Sequence, residues 1–304
     1  MKVVALAGGT GSAKLLHGLY QLPVDLKVIA NVGDNAWIYG VYVCPDIDIA
    51  CYTLSGVADS ARGWGLAGDT YEVLSQLSNL GEEPWFKLGD RDLAVCLART
   101  AMLRAGASLT DATAKIAGAL GVRCPVIPAT DDPVETHVIT SKGDLHLQEF
   151  WVKERGLPRV RHVRYRGARR ARVALKAAAA LHSADRVVLC PANPITSIGP
   201  MLAIPGFARL LEEGAARTVA LSPMSGAGPY SGPAGKLMRA MGSRPDSVGV
   251  ARLYSKFLGS ILISKRDAPL RSEIEAMGVE CRTTDTRLKT RADELRLAKE
   301  LLYS

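Results

Sequence analysis

The chain has 304 residues, of which 48% are hydrophobic, enough for one large core or for a core with an inserted region. Its net charge of +8 favours anionic partners such as nucleotides. No apolar run approaches the ~18 residues of a membrane helix, and the six cysteines are scattered without a CxxC pair. These features exclude a helical membrane protein and a disulfide framework, and they predict a cytoplasmic protein with reduced thiols.

A glycine-rich turn follows the first predicted strand. The apolar run Val3–Ala7 predicts a short buried strand, Gly9, Thr10 and Gly11 lie in the turn, and helical character begins directly afterwards. The turn is not a P-loop, and Lys14 stands where a dinucleotide fingerprint would have its third glycine. We expect the free N–H groups of the new helix to face a phosphate. A purely structural turn is the alternative.

Strands and helices then alternate along most of the chain. Apolar runs and helical periodicity place strands at 26–30, 124–127, 186–190, 218–221, 261–264 and 279–282, and helices at 49–54, 90–105, 109–121, 174–182, 207–213, 235–241 and 291–302. This alternation predicts an α/β fold with a Rossmann-like, doubly wound parallel sheet. Ligands of such sheets bind beyond the carboxyl ends of the strands, where polar loops follow in this sequence.

The pattern changes between residues 134 and 175. Two β-like segments, 135–140 and 145–152, flank a turn, and a basic run over 154–172 follows. We therefore expect a core formed by 1–133 and 176–304 with an inserted α+β region at 134–175. The basic run fits a solvated face, a rim that steers phosphates or a nucleic-acid patch. Its single aromatic residue, Tyr165, argues against nucleic acid as a partner.

Polar residues with possible chemistry follow two of the predicted strands. Asp34, Asp46 and Asp48 lie after the second strand, and a magnesium ion prefers carboxylate oxygens together with substrate phosphate. Asn193 and Ser197 lie on a loop between prolines, where they can read a base or a phosphate. Helix capping and turn formation are the alternatives. No nucleophile constellation is evident, which favours metal-assisted phosphoryl chemistry.

Taken together, these segments resemble the 2-phospho-L-lactate transferase family of coenzyme F-420 biosynthesis. The resemblance runs from residue 7 to about residue 240, and its segments include AGGTGSAKLLHGL, NVGDNAWIYGVYVCPDIDIACYTLSG, WGLAGDT, TDDPVETHV, QEFWV and PANPITSIGPMLAIPG. It implies a Rossmann-like homodimer that transfers a phospho-three-carbon-acid group from a guanylylated donor to FO, a 5-deazaflavin. The ribityl hydroxyl of FO would attack the phosphorus attached to the acid, with Mg²⁺ assisting and GMP leaving. The acid stays open between lactate, enolpyruvate and glycerate.

The resemblance also implies roles for single residues. Asp46 would be the principal Mg²⁺ ligand with Asp48 close by, and a carboxylate among these and Asp34 would accept the hydroxyl proton. The other implied substrate-binding residues are Gly9, Thr10 and Gly11 near the diphosphate or the acceptor, Asn31 and Asn35 in the same crevice, Asn193 and Ser197 near the guanosine, Trp64 against the deazaflavin, and Cys96 and His146 facing a more hydroxylated acid such as 3-phosphoglycerate. His137 and His146 are expected to face opposite ways in their hairpin.

Two other classes of protein share parts of the pattern. A non-enzymatic family of nucleotide-sugar-binding regulatory proteins has a similar GGTG turn and NVGDN segment, but it lacks a segment like 191–199. An NAD-dependent oxidoreductase would need an acidic residue where this chain has Asn31.

Overall fold

The computed structural model describes residues 1–226, 228–230 and 232–303. Its strands are β1 (Lys2–Ala7), β2 (Asp25–Ala30), β3 (Ala36–Ile38), β4 (Val41–Val43), β5 (Val126–Pro128), β6 (Glu135–Thr140), β7 (Gly143–His146), β8 (Val160–Arg166), β9 (Arg186–Leu189), β10 (Thr218–Leu221), β11 (Met224–Ser225), β12 (Gly228–Pro229), β13 (Ser260–Ser264) and β14 (Glu280–Thr284). Its helices are α1 (Gly9–Tyr20), α2 (Pro45–Leu54), α3 (Glu72–Asn79), α4 (Asp90–Arg104), α5 (Leu109–Ala119), α6 (Leu175–Ser183), α7 (Gly199–Leu202), α8 (Phe207–Glu212), α9 (Ala234–Ala240), α10 (Ser247–Tyr254), α11 (Arg271–Glu275) and α12 (Arg291–Tyr303).

The central sheet has the strand order β14-β13-β10-β9-β1-β2-β5, and its neighbouring strands are parallel. Most of the strands are runs of Val, Ile, Leu and Ala that are buried on both faces, as a parallel sheet covered by helices requires, whereas the edge strand β14 is polar and only partly buried. Val3 of β1 pairs with Leu26 on one side and with Arg186 on the other. The chain therefore reverses its winding direction between β1 and β9, which is where doubly wound sheets bind ligands. The predicted fold class is confirmed.

A smaller antiparallel sheet, β7-β6-β8, is built within the region predicted as an insertion. The side chain of Lys236 on α9 holds the segment between β7 and β8 in place. Its Nζ donates to the carbonyls of Gly156 and Pro158, each at 2.7 Å. The prediction of β structure over 145–152 is wrong in its second half, where the chain forms a π-helical turn at Glu149–Lys153. The boundaries of the insertion stay a prediction.

Helix α4 does not turn its apolar stripe toward the core, as an amphipathic helix ordinarily does. Ala94, Leu97, Ala98 and Ala101 are exposed, and Leu97 is 54% exposed. The face that packs inward instead buries Cys96, Arg99 and Thr100. The hairpin β3–β4, which the sequence analysis did not predict, lies against this face, and the backbone N–H of Tyr42 donates to Oγ1 of Thr100 at 2.8 Å. Over the described ranges, no helix is long and apolar enough to cross a bilayer.

Candidate active site

Loops at the carboxyl ends of several central strands line one crevice of about 560 Å³. The residues that follow β1, β2, β9, β10 and β14 all contribute to it, together with the loop after α2 and the π-helical turn of the smaller sheet. The contributors include Gly8–Gly11, Lys14, Asp34, Ser60–Gly63, Gln148, Trp151, Pro191–Asn193, Thr196, Ser197, Pro223, Tyr230 and Thr286–Lys289. The convergence of separate polar loops that the parallel sheet predicts is thus present.

The glycine turn forms the floor of this crevice because no side chain fits there. A Cβ on Gly8 would lie 2.5 Å from Cβ of Ser197, and one on Gly11 would lie 2.6 Å from the carbonyl oxygen of Pro191. Gly9 begins α1 with φ of +71°, a conformation that glycine adopts without strain. The turn therefore brings the start of α1 against the loop that follows β9.

Asn31 joins two carboxylates beside the glycine turn. Its Nδ2 donates to Oδ2 of Asp46 at 2.8 Å and to Oδ1 of Asp34 at 3.0 Å. The other oxygen of Asp46 accepts the backbone N–H of Gly9 at 2.6 Å. The first turn of α2 is therefore fixed to the first turn of α1 through a single buried carboxylate.

Burial makes both carboxylates hard to ionise. It raises the pKa of Asp46 to about 6, although the hydrogen bonds from Asn31 and Gly9 oppose the change. Burial also raises the pKa of Asp34 well above its ordinary value, and repulsion from Asp46 raises it further. Two neighbouring desolvated carboxylates form a site where a divalent cation would offset the repulsion, and carboxylate oxygens are ligands that Mg²⁺ prefers.

Asp48 lies on the same turn of α2 as Asp46, yet the structure does not bring it into the crevice. Both of its oxygens accept hydrogen bonds from Arg99, a fully buried residue of α4, with Nη1 3.1 Å from Oδ2. Its charge is thus already neutralised by a protein cation. The carboxylates of Asp48 and Asp92 and the thiol of Cys96 lie within 4.8 Å of one another, but Arg99 supplies the positive charge there.

Three other predicted residues also lie away from the lining. Cys96 is fully buried beneath the hairpin β3–β4. Trp64 lies under the guanidinium of Arg62 at 5.1 Å, and Arg62 rather than Trp64 lines the crevice. His146 pairs directly with His137 across the hairpin, with ring centroids 5.6 Å apart. The expectation that these histidines face opposite ways is wrong, because directly opposed residues of an antiparallel pair share a face.

The remaining predicted site residues lie in or next to the crevice. Gly9, Thr10 and Gly11 line it, as do Asn193 and Ser197. Asn193 also caps a π-helical turn at 194–198, because its Oδ1 accepts the N–H of Ile195 at 3.0 Å. Asn31, Asn35 and Asp46 lie beneath the lining, with exposures of 0%, 1% and 4%.

The sequence analysis did not single out several of the lining side chains. Gln148 and Trp151 belong to the segment QEFWV, and its resemblance to the family was the signal that could have found them. Lys289 lies on the loop after β14, and Tyr230 lies in the segment after β10. Ligands of parallel sheets bind at such loops, but this rule does not say which residue of a loop lines the site. Lys14 also lines the crevice, and its Nζ donates to the carbonyl of Leu288 at 3.1 Å.

This fold and crevice define a doubly wound α/β protein with a glycine turn and paired carboxylates at its switch point. Residues 3–299 match the profile of the family described as 2-phospho-L-lactate transferase CofD. The chain belongs to this family of transferases, and the expected resemblance is confirmed.

Named relatives match almost the whole chain. The chain is 38% identical over 299 residues to the 2-phospho-L-lactate transferase of Methanosarcina mazei, covering 98% of each chain. It is 39% identical over 290 residues to the phosphoenolpyruvate transferase of Streptomyces griseus, covering 93% of this chain and 91% of the relative. A solved structure of a UPF0052 family protein from Bacillus halodurans superposes with a TM-score of 0.67 over 99% of this chain and 98% of that one, at 17% identity, which shows a shared fold.

Proposed function

We propose that the chain transfers a phospho-three-carbon-acid group from a guanylylated diphosphate donor to the ribityl hydroxyl of FO. The hydroxyl oxygen forms a bond to the phosphorus that carries the acid, the bond between that phosphorus and the bridging oxygen breaks, and GMP leaves. The observation that carries the proposal is the linked set Asp34, Asn31 and Asp46 beside the glycine turn. The names of the relatives support the transferred group but leave its acid open.

We assign Asp46 as the residue that would hold Mg²⁺, with oxygens of the donor completing the site. The bound ion would neutralise charge on the diphosphate as GMP departs. The two buried carboxylates fit this role because each is costly to ionise without a cation nearby.

Asp34 is the better candidate for the proton acceptor. It lines the crevice, whereas Asp46 lies beneath the lining, where its oxygens accept hydrogen bonds from Gly9 and Asn31 and keep further lone pairs for a cation. A carboxylate with a raised pKa is a stronger base near neutral pH than an ordinary one. Lys14 and Lys289, which also line the crevice, add positive charge for the phosphates.

The two ends of the crevice differ in chemistry. The end next to the smaller sheet carries Trp151, which is 43% exposed, and the amide of Gln148. A flat deazaflavin ring can stack on such an indole, so we place FO there rather than at Trp64. The loop Thr286–Lys289 brings Arg287 and Lys289 to the lining, and Lys14 contacts this loop through the carbonyl of Leu288. We place the guanosine diphosphate portion at this basic part of the crevice, with Asn193 also assigned to it.

Turnover with FO and a guanylylated donor, followed as GMP release, tests this proposal. Asp46→Asn should abolish the FO-dependent release of GMP while the variant stays folded. Asp34→Asn should lower kcat strongly and change the KM for either substrate less. The matched control is Asp25→Asn, which removes an exposed carboxylate and should keep normal turnover. Wild-type turnover in Asp46→Asn contradicts the proposal.

The donor acid needs a separate comparison of the lactyl, enolpyruvyl and glyceryl donors. The expectation of 3-phosphoglycerate rested on Cys96 and His146. Cys96 is buried away from the crevice, whereas His146 directly precedes the lining residues Leu147 and Gln148. A clear preference for the lactyl donor would remove the case for glycerate.

We also propose that the protein is a homodimer joined through the outer face of α4. Ala94, Leu97 and Ala101 form an apolar stripe on this helix, and all three are exposed. Trp37 on β3 is 56% exposed, and the guanidinium of Arg104, at the end of α4, lies 5.9 Å from its ring. A continuous apolar surface of this kind is a typical protein contact.

A further inference from the structure

A second cavity, of about 470 Å³, lies at the opposite edge of the central sheet. Arg186, Ser260 and Glu280 line it, and they are the first residues of β9, β13 and β14. The candidate active site lies beyond the last residues of the same sheet. Strands of four or five residues at about 3.3 Å per residue separate the two by about 15 Å. The second cavity is therefore not part of the crevice.

The lining of this cavity carries positive charge with little to balance it. Arg186 and Arg282 both line it, and Glu280 is the one acid among the described lining residues. The side chain of Glu280 is 66% exposed, and its Oε1 lies 3.5 Å from Nε of Arg282, a distance typical of a weak surface pair. Arg186 makes no side-chain hydrogen bond or ion pair with any described residue.

Arg282 is held where water reaches it poorly. Within the described part of the chain, its Nη1 is buried without a hydrogen-bond partner, and its buried Nε has only the 3.5 Å ion pair with Glu280. A buried charged donor without a hydrogen-bond partner destabilises the folded state by about 1–3 kcal/mol or more. The same desolvation makes the guanidinium attract an anion more strongly than an arginine at an open surface does.

We propose that this cavity binds the oxyanion group of a small metabolite, a phosphate or a carboxylate, between Arg186 and Arg282. Guanidinium groups match the geometry of both kinds of oxyanion. Ser260 also lines the cavity, and the volume lies within the range of small-molecule sites. The site is independent of the transfer reaction, because none of these residues lines the crevice.

The test follows the Nε–H signal of Arg282 by NMR in the full chain, labelled with ¹⁵N in arginine, during titration with inorganic phosphate. Arg282→Lys assigns the signal. We expect a saturable shift with a Kd of about 1 mM or tighter, and at least about tenfold weaker binding in Arg186→Gln. The matched control is Arg209→Gln, which removes the same charge from a side chain that is 82% exposed and should bind like the wild type.

Two results would overturn the proposal. One is the lack of a saturable shift of the Arg282 signal in the wild-type protein. The other is an equal loss of binding in Arg186→Gln and Arg209→Gln, which would mark general attraction by the net positive charge. A parallel titration with malonate separates the two sources of oxyanion, because a stronger effect of phosphate or of malonate identifies the group that the cavity prefers.

Discussion

One side-chain amide, that of Asn31, donates to two acids that arrive from different parts of the chain. Asp34 follows β2 directly, and Asp46 arrives from the first turn of α2. The sequence predicts their meeting because residues after parallel strands gather at one edge of the sheet. It does not predict the exclusion of Asp48, because that depends on Arg99, which lies 51 residues away in the sequence.

The raised pKa of Asp46 predicts how stability depends on pH in metal-free buffer. The folded chain holds this proton up to about pH 6, whereas an ordinary aspartate releases it near 3.8. Between these values the folded state binds more protons than the unfolded state, so the free energy of unfolding falls as pH rises and levels off above about pH 6. The shift corresponds to about 3 kcal/mol.

Denaturant unfolding in EDTA across this pH range measures the effect. Asp46→Asn should remove this part of the slope, and an unchanged slope in that variant would contradict the assigned pKa. Added Mg²⁺ should stabilise the wild type mainly above pH 6, where the carboxylate is free of its proton.

Gly11→Ala should damage the site through a backbone contact. Its Cβ would lie 2.6 Å from the carbonyl oxygen of Pro191, so the loop after β9 must shift. We expect a loss of about 1–3 kcal/mol in the free energy of unfolding, together with reduced turnover. The matched control is Gly118→Ala on α5, where a Cβ meets nothing within 4 Å and should stabilise the helix by up to about 1 kcal/mol. Equal stability of the two variants would contradict the close approach.

At the scale of elements, helix capping shows what a sequence pattern can and cannot indicate. Asp69 and Thr70 precede α3 in the sequence, and either residue type can cap the helix that follows. The carboxylate of Asp69 instead accepts N–H groups of Arg91 and Asp92 at the start of α4, at 2.9 and 3.1 Å. Asp90 in turn accepts the N–H of Glu72 at the start of α3, at 2.9 Å. The residue type was informative, but the exchange of partners depends on how the two helices pack.

The pair Asp48–Arg99 should be a main stabilising link between α2 and α4. Asp48→Asn leaves a fully buried guanidinium without its counter-charge, which should cost about 3–5 kcal/mol. A double variant that also carries Arg99→Met should lose less than the sum of the two single losses. Chemical denaturation of the four proteins measures this coupling, and strict additivity would show that the pair is not linked.

An exposed pair supplies the control for this cycle. Asp285→Asn removes the partner of Arg287 at the surface, where solvent screens the charges, and it should change stability little.

At the scale of the whole molecule, the parallel sheet was predictable because its strands are apolar runs separated by helical segments. The hairpin β3–β4 and helix α10 were not, because strands of three residues and a helix of eight residues are shorter than the window of about 11–18 residues over which periodicity is read. The helix α4 was predicted from its apolar periodicity, but this apolar stripe faces outward and the inward face contains an arginine. Periodicity identifies the helix but does not say which neighbour covers it.

The proposed dimer gives a test at this scale. Leu97→Glu places a charge in the centre of the stripe and should yield monomers in light scattering after gel filtration. Leu175→Glu is the matched control, because Leu175 is 87% exposed at the start of α6 and lies outside the stripe. Dimers that persist in Leu97→Glu would show that the copies meet elsewhere.

The position of β1 in the sheet has a consequence for synthesis on the ribosome. Strand β1 pairs on one side with β9, which begins at residue 186, and α1 packs so closely against α12 that a Cβ on Gly18 would lie 2.2 Å from the carbonyl oxygen of Glu294. At about 5–20 residues per second, β1 waits roughly ten seconds or more for its partner. During that time an apolar strand with one open edge is exposed, so the nascent chain should be a client of chaperones until α12 is released.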